Sequence, residues 1–425
     1  MRLFVLDSGL RARGSHNLVF AILVSAAARK RGIEATAFTS KVFKSDPDDP
    51  FEVRALFSAS YYDAVSADPV SRPVYSYNHL NKLFLRELKT IPQETFATSD
   101  VVWIPTISER HLQGLCQWIG SFEPARAPQF VVTLTLPPGV STALGDVSVY
   151  DSLQAVHYRN LLVAARRLGA NVHFVATGDP IASDYSYLAQ RPIPAHPVLI
   201  DPNLELTPAT GRTLLVYVGD AAIRKGIHLL PQAVRLMAAR LPGWKLLAHI
   251  NDGETWSPKR PGAALRALQQ SIPSLEIRSG FLDPDEHRRL FEQASVVLLA
   301  YEKAPYSRGM SGVLWEAIAA GRPMILPAGT YLEHEAEHWG ASYAAIDSSR
   351  PKRIADGVAA ALESGALDYD KSFRAAQAFR EVNGVERFVD YLVALPGAAK
   401  AGPKKSRNPA PPARHPEASR GRSSG

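Results

Sequence analysis

One glutamate stands out because the helix predicted around it is otherwise apolar. Glu316 is the sole charged residue between Ser311, a favourable helix N-cap, and Gly321, a favourable helix end. A helix that is apolar on every side is buried, so this carboxylate needs a hydrogen-bonding partner. The hydroxyl groups of a ligand would serve, and an arginine from elsewhere in the chain is the alternative.

The segment before this helix suits the binding of an anion. It runs from Arg308 through small residues to Ser311, and Gly312 and Val313 follow as the first residues of the helix. Free backbone N–H groups and the positive end of the helix dipole would face a phosphate there. A phosphate site and a hydroxyl acceptor in one short segment together suit a nucleotide-sugar.

A second segment places positive charge just after a predicted strand. The apolar run 213–218 ends at Gly219, and Arg224, Lys225 and Gly226 follow before apolar residues return at helical spacing. Cations in such a loop would stabilise the negative charge that develops on a diphosphate leaving group. A Lys-Gly pair after a loop is common on protein surfaces and is weak evidence by itself. The hypothesis of a nucleotide-sugar site therefore rests on the order and spacing of the two segments.

These two segments resemble the donor site of GT-B glycosyltransferases of group 1, a branch that includes many bacterial polysaccharide and lipopolysaccharide enzymes. The resemblance implies that Glu316 holds the donor ribose, that Lys225 grips the diphosphate, and that transfer retains configuration without a metal. Two positions depart from the family pattern, because Asp220 replaces an arginine and Arg308 replaces a glutamate. We expect Arg224 and Arg308 to supply the missing positive charge.

Strands alternate with helices along both halves of the chain, which predicts parallel sheets. The resemblance implies an α/β GT-B fold, in which two Rossmann-like doubly wound domains face each other across a cleft. We expect an acceptor-binding domain at 1–203 and a donor-binding domain at 204–371. We also expect a helix at 372–395 that packs back toward the N-terminal domain, and a disordered basic tail at 396–425.

The loop between the first strand and the first helix lies where doubly wound domains bind ligands. Gly14 and Ser15 are candidates for backbone contacts with the donor, and Arg13 or His16 for polar contacts. The alternative is a helix N-terminus capped by Ser15 or Asn17. The loop lacks the Gly-x-Gly-x-x-Gly pattern, so a nicotinamide dinucleotide site is poorly supported. The catalytic candidates are Lys225, Glu316 and Arg308, and the donor-binding candidates are Gly14, Ser15, His16, Gly219, Arg224, Gly226, Ser311, Gly312 and Val313.

The composition is that of an ordinary globular protein, with 46% hydrophobic and 21% charged residues. The single cysteine cannot form an internal disulfide, and no stretch has the pattern of a signal peptide or a transmembrane helix, so we expect a cytoplasmic protein. Most of the net charge of +7 belongs to the tail, which has seven lysines and arginines and one glutamate. The tail is either solubilising or attracted to anionic lipids at the inner membrane face. The near-neutral body argues against nucleic acid.

We therefore expect an enzyme that transfers a sugar from a nucleotide-diphosphate sugar to a glycan or lipid-linked acceptor, with no cofactor. The sequence has no histidine and cysteine cluster at zinc spacing and no convincing Asp-x-Asp motif. Two alternatives stay open. The replaced charges at Asp220 and Arg308 fit a degenerate protein that binds a partner without catalysis. A nucleotide-sugar epimerase or hydrolase on the same fold is the other.

Overall fold

Two six-stranded parallel sheets, one in each half of the chain, form the framework of the computed structural model. The structure describes residues 1–13, 16–66, 68–142, 148–150, 152–169, 171–208, 211–251 and 262–395. The candidates Gly14 and Ser15 and the tail 396–425 lie outside these residues.

The strands are β1 (Arg2–Leu6), β2 (Glu34–Ser40), β3 (Glu52–Phe57), β4 (Val101–Ile104), β5 (Gln129–Leu134), β6 (Ser141–Thr142), β7 (Ser148–Val149), β8 (Val172–Ala176), β9 (Thr213–Asp220), β10 (Lys245–Asn251), β11 (Leu275–Ser279), β12 (Val296–Leu298), β13 (Met324–Pro327) and β14 (Tyr343–Ile346). The helices are α1 (His16–Lys30), α2 (Arg72–Leu88), α3 (Glu109–Ile119), α4 (Leu153–Ala164), α5 (Asp179–Ala189), α6 (Leu230–Arg240), α7 (Ala263–Ala267), α8 (Pro284–Gln293), α9 (Lys303–Tyr306), α10 (Gly312–Ala319), α11 (Tyr331–His338), α12 (Pro351–Glu363), α13 (Tyr369–Val382) and α14 (Val385–Ala394).

Both large sheets have the same strand order. It is β3-β2-β1-β4-β5-β8 in the N-terminal half and β11-β10-β9-β12-β13-β14 in the C-terminal half. In each sheet the order reverses beside the first strand, and ligands of doubly wound folds bind at the carboxyl ends of the strands at that point. The predicted α/β fold of two doubly wound domains is confirmed.

Strand β1 shows why these sheets are apolar on both faces. Phe4 and Leu6 belong to the core beneath α2 to α5, whereas Leu3 and Val5 belong to the core beneath α1 and α14. A strand that is covered on both faces is apolar at successive positions, which is typical of parallel sheets. This packing fixes the carboxyl end of β1, where the first loop begins.

The segment predicted as one helix over 372–395 contains two helices, α13 and α14. They are separated at Asn383 and Gly384, and Gly384 has a φ of 110°. Phe379 on α13 packs in the C-terminal domain, whereas Phe388 on α14 packs in the N-terminal domain against Trp103, with the ring centroids 5.1 Å apart. Only the second helix therefore packs on the N-terminal domain.

The chain crosses between the domains twice, and the two crossings contact each other. At the first crossing the Val198 N–H donates to Asn383 Oδ1 at 2.8 Å. At the second crossing the Gly384 N–H donates to the carbonyl of Val198, also at 2.8 Å. The two connecting segments are thus joined side by side.

Candidate active site

Glu316 lies on α10, the helix that the sequence predicts around it. The Ser311 hydroxyl accepts a hydrogen bond from the Leu314 N–H, so Ser311 is the N-cap, and Gly321 follows the end of the helix. The apolar side chains of α10 are buried, but 30% of the Glu316 side chain is exposed. The carboxylate is therefore at the accessible side of an otherwise buried helix.

The partner of Glu316 is a histidine on a neighbouring helix. His287 on α8 donates from Nε2 to Glu316 Oε1 at 2.9 Å, and a third of the His287 side chain is exposed. Burial alone would lower the pKa of His287, but the Glu316 carboxylate raises it above its ordinary value. The sequence hypothesis named a ligand or an arginine as the partner and did not identify His287.

Lys225 is mostly buried in the loop between β9 and α6. Its ammonium lies 2.5 Å from Asp220 Oδ1 and 3.4 Å from the carbonyl of Val218, and 14% of the side chain is exposed. Gly219 makes room for it, because a Cβ at Gly219 would lie 2.9 Å from Lys225 Nζ. The sequence identified Lys225 and Gly219 but not the ion pair.

Asp220, one of the two departures from the family pattern, pairs with both basic residues of its loop. Besides Lys225 it accepts from Arg224 Nη2 at 3.0 Å. Burial would raise the pKa of Asp220, but these two cations hold it below its ordinary value. Asp220 thus offsets part of the positive charge that the sequence predicts here.

Gly226, at the end of this loop, has a backbone conformation that only glycine adopts easily. Its φ is 74°, and a Cβ would lie 2.0 Å from the carbonyl oxygen of Ala300. We expect Gly226→Ala to lower the free energy of unfolding by about 3 kcal/mol, because the backbone strain and the clash add. Urea unfolding followed by circular dichroism measures it.

Gly32→Ala is the matched control, because Gly32 has a φ of 72° and open space where its Cβ would be. This variant isolates the backbone conformation, which costs about 1 kcal/mol. Equal losses in both variants would mean that the Ala300 carbonyl moves away without cost, contrary to the prediction.

Arg308 contacts the opposite domain. It donates from Nη1 to Asp184 Oδ1 on α5 at 2.5 Å, and Tyr150 donates to the same oxygen at 3.0 Å. Only 2% of the Asp184 side chain is exposed. Burial raises the pKa of Asp184 above its ordinary value, against the opposing effect of Arg308. Sequence reasoning did not reveal this contact between the domains.

The start of α1 lies opposite the Lys225 loop. His16 is exposed to solvent, but the protein around it partly desolvates the ring and lowers its pKa; the charges of Lys225 and Arg224 lower it further, while Asp220 opposes them. The first turn of α1 thus lies near the charged residues of the Lys225 loop. Arg13 is the other candidate for a polar contact with the donor. It donates from Nη2 and Nη1 to the two carboxylate oxygens of Asp49, at 2.9 and 3.0 Å.

A buried polar network holds the base of the first loop. Asn17 donates to Asp7 Oδ2 at 2.8 Å and to the Tyr61 hydroxyl at 2.5 Å, and the Gly9 N–H donates to Asp7 Oδ1 at 2.8 Å. Burial raises the pKa of Asp7 to about 6 in spite of these hydrogen bonds. Asn17 thus anchors the loop from inside α1, whereas the sequence considered it as a cap.

Two features are absent from the part of the chain that the structure describes. No three histidine, cysteine, aspartate or glutamate side chains come together as they would around a metal ion. No helix there combines the length and the apolar character that crossing a bilayer requires.

Part of the C-terminal half matches a family model. Residues 212–364 match the family model described as Glycosyl transferases group 1. A search of curated proteins finds no match.

Solved structures resemble the chain over nearly its whole length. Sucrose-phosphate synthase from Thermosynechococcus elongatus has a TM-score of 0.60 at 16% identity, covering 92% of this chain and 97% of that one. WaaG, a glycosyltransferase involved in lipopolysaccharide biosynthesis, has a TM-score of 0.55 at 15% identity, covering 92% of this chain and 98% of that one. Anabaena HepE in complex with UDP-glucose has a TM-score of 0.57 at 12% identity, covering 92% of this chain and 98% of that one. At these identities the similarity establishes the fold.

Proposed function

This chain carries a group 1 glycosyltransferase domain within a GT-B fold, as its sequence predicts, and we propose that it transfers a sugar from a nucleotide-diphosphate sugar to a glycan or lipid-linked acceptor. The observation that supports the proposal is topological: the Lys225 loop follows β9 and α10 follows β12, and these two strands are neighbours where the order of the C-terminal sheet reverses. We further propose transfer with retention of configuration, in the cytoplasm.

The donor diphosphate would bind between the Lys225 ammonium and the first turn of α10. The backbone N–H groups of residues 312 and 313 are at the positive end of that helix and suit phosphate oxygens. Lys225 would exchange Asp220 for the phosphate, because both anions compete for one ammonium. The cation then stabilises the charge that grows on the diphosphate as the glycosidic bond breaks.

Glu316 would accept hydrogen bonds from the donor ribose, and His16 would make a polar contact with the donor across the cleft. Arg224 and Arg308 are proposed to add positive charge around the diphosphate. A neighbour of this fold binds UDP-glucose, which supports a nucleotide-sugar as the ligand class. The N-terminal domain would bind the acceptor, and closure of the cleft would exclude water from the donor.

Isothermal titration with UDP-, GDP-, ADP- and TDP-glucose tests the donor site. We expect one of these to bind, and Glu316→Ala to weaken it by about 10- to 100-fold, since hydrogen bonds to a charged group are worth about 1.5–3 kcal/mol. Glu337→Ala is the matched control, because Glu337 is exposed on α11. Equal affinity of the Glu316→Ala protein and the control would overturn the assignment of Glu316.

The Asp220 ion pair favours a second candidate function, binding of the donor without turnover. An ammonium that stays on Asp220 would contact the diphosphate weakly and stabilise its leaving poorly. Mass spectrometry of products from donor and a mixed glycan acceptor separates the two: a glycosylated acceptor supports transfer, and intact donor supports binding alone. Free sugar without a glycosylated acceptor would indicate a hydrolase.

A further inference from the structure

The hydrogen bond between His287 and Glu316 engages one of the two carboxylate oxygens. Oε1 of Glu316 accepts from His287 at 2.9 Å. Within the described residues no hydrogen bond from another side chain reaches Oε2. The side chain is 30% exposed, so a ligand can reach the carboxylate. Each carboxylate oxygen has two lone pairs, so Oε2 offers both of its own to a ligand whereas Oε1 keeps only one.

The ring of His287 is itself fixed in place by its neighbours. Phe291 packs against it with the ring centroids 5.5 Å apart, and His249 on β10 lies edge-on at 6.3 Å. His249 donates from Nε2 to the carbonyl of Gly280 at 2.8 Å, and burial lowers its pKa, so it stays neutral. These rings pack around the imidazole while its Nε2 is directed at Glu316 Oε1.

The charges around His287 come from four elements. Burial lowers its pKa, Glu316 on α10 and Asp201 in the connecting segment raise it, and Lys225 opposes them. His249 on β10 is neutral and adds no charge. The net result is a pKa above the ordinary value, so His287 is more fully charged near neutral pH than a free histidine.

We propose that His287 is a positioning residue that holds Glu316 so that its free oxygen accepts one ribose hydroxyl of the nucleotide donor. This inference rests on the proposed function, because it assumes that Glu316 contacts the donor ribose. It adds a residue that the motifs do not include, and it predicts unequal dependence of binding on the two ribose hydroxyls. It also predicts that donor binding weakens as pH rises and His287 loses its proton.

The experiment uses the full chain and isothermal titration with UDP, 2′-deoxy-UDP and 3′-deoxy-UDP from pH 7 to pH 9, where the terminal phosphate of each nucleotide is already mostly ionised. If the donor panel selects another base, the corresponding GDP, ADP or TDP analogues replace these. TDP already lacks the 2′-hydroxyl, so that series tests the 3′-hydroxyl alone. For the wild type we expect one deoxy analogue to bind much more weakly than the other, and affinity to fall with rising pH. His287→Leu should weaken nucleotide binding about tenfold, bring the two analogues closer together and flatten the pH dependence.

His287→Gln keeps an N–H donor near Glu316 but cannot titrate. We expect it to bind better than His287→Leu and to show a flat pH profile, which a purely structural role would not produce. It also keeps the test open if the leucine variant fails to fold, as monitored by circular dichroism.

Glu316→Ala distinguishes failure of this inference from failure of the proposed function. If Glu316→Ala loses binding while His287→Leu matches the wild type in affinity and pH profile, the positioning role is wrong and the donor site stands. If Glu316→Ala binds nucleotide as the wild type does, the donor site and the inference both fail.

Discussion

Lys225→Ala should lower kcat for sugar transfer by about 10²- to 10³-fold, the usual effect of removing one group that stabilises transition-state charge. The reason is geometric: the ammonium lies in a loop shaped by Gly219 and is 14% exposed, so water replaces it poorly. Donor affinity should fall less than kcat, because the lysine acts mainly on charge that appears as the bond breaks. Initial rates over a range of donor concentrations measure both.

Lys352→Ala is the matched control for this prediction. Lys352 is exposed on α12 and pairs with Asp356 at 3.1 Å, so its removal takes the same charge from the same domain at a distance from the site. Its rate should equal that of the wild type. If Lys225→Ala also transfers sugar at the wild-type rate, then Lys225 does not act on the diphosphate.

Arg308→Ala should destabilise the protein by about 2–3 kcal/mol. It leaves Asp184, which is 2% exposed, as a buried carboxylate without its cation, and breaking fully buried pairs costs about 3–5 kcal/mol. We expect less than that because a quarter of the Arg308 side chain is exposed. The midpoint of urea unfolding measures the loss.

Two further variants make the prediction specific. Adding Asp184→Asn to Arg308→Ala should restore much of the stability, because the buried group is then neutral and can still accept from Tyr150. Arg240→Ala removes an arginine from a surface pair with Asp356, which should cost less than about 1 kcal/mol. Equal losses for Arg308→Ala and Arg240→Ala would contradict the buried character of the Asp184 pair.

The parts of the site that could be predicted are those that local sequence determines. Ser311 and Gly321 delimit α10 because capping and helix termination depend on a few adjacent residues. The loop after β9 follows from Gly219 and Gly226, whose positive φ angles suit glycine. The alternation of strands and helices is also determined by local sequence, so it predicted the doubly wound sheets.

The contacts that could not be predicted join residues far apart in the chain. His287 and Glu316 are 29 positions apart, and Arg308 and Asp184 are 124 apart, so only the packing of the helices brings each pair together. Asp220 is different, because its distance of five positions from Lys225 is short enough that the ion pair could have been inferred. From the sequence, Asp220 was interpreted only as a replacement of the arginine in the family pattern and not as an ion-pair partner of Lys225.

The paired crossings at Val198 and Gly384 determine how the two domains can move. Two independent connections would let the domains twist and slide as well as open. Here the backbone and side-chain hydrogen bonds among Val198, Asn383 and Gly384 keep the connections together, so bending one displaces the other. We therefore expect the domains to move mainly by rotation about an axis through this pair. Arg308 and Asp184 lie one on each domain, so such a rotation would separate this ion pair.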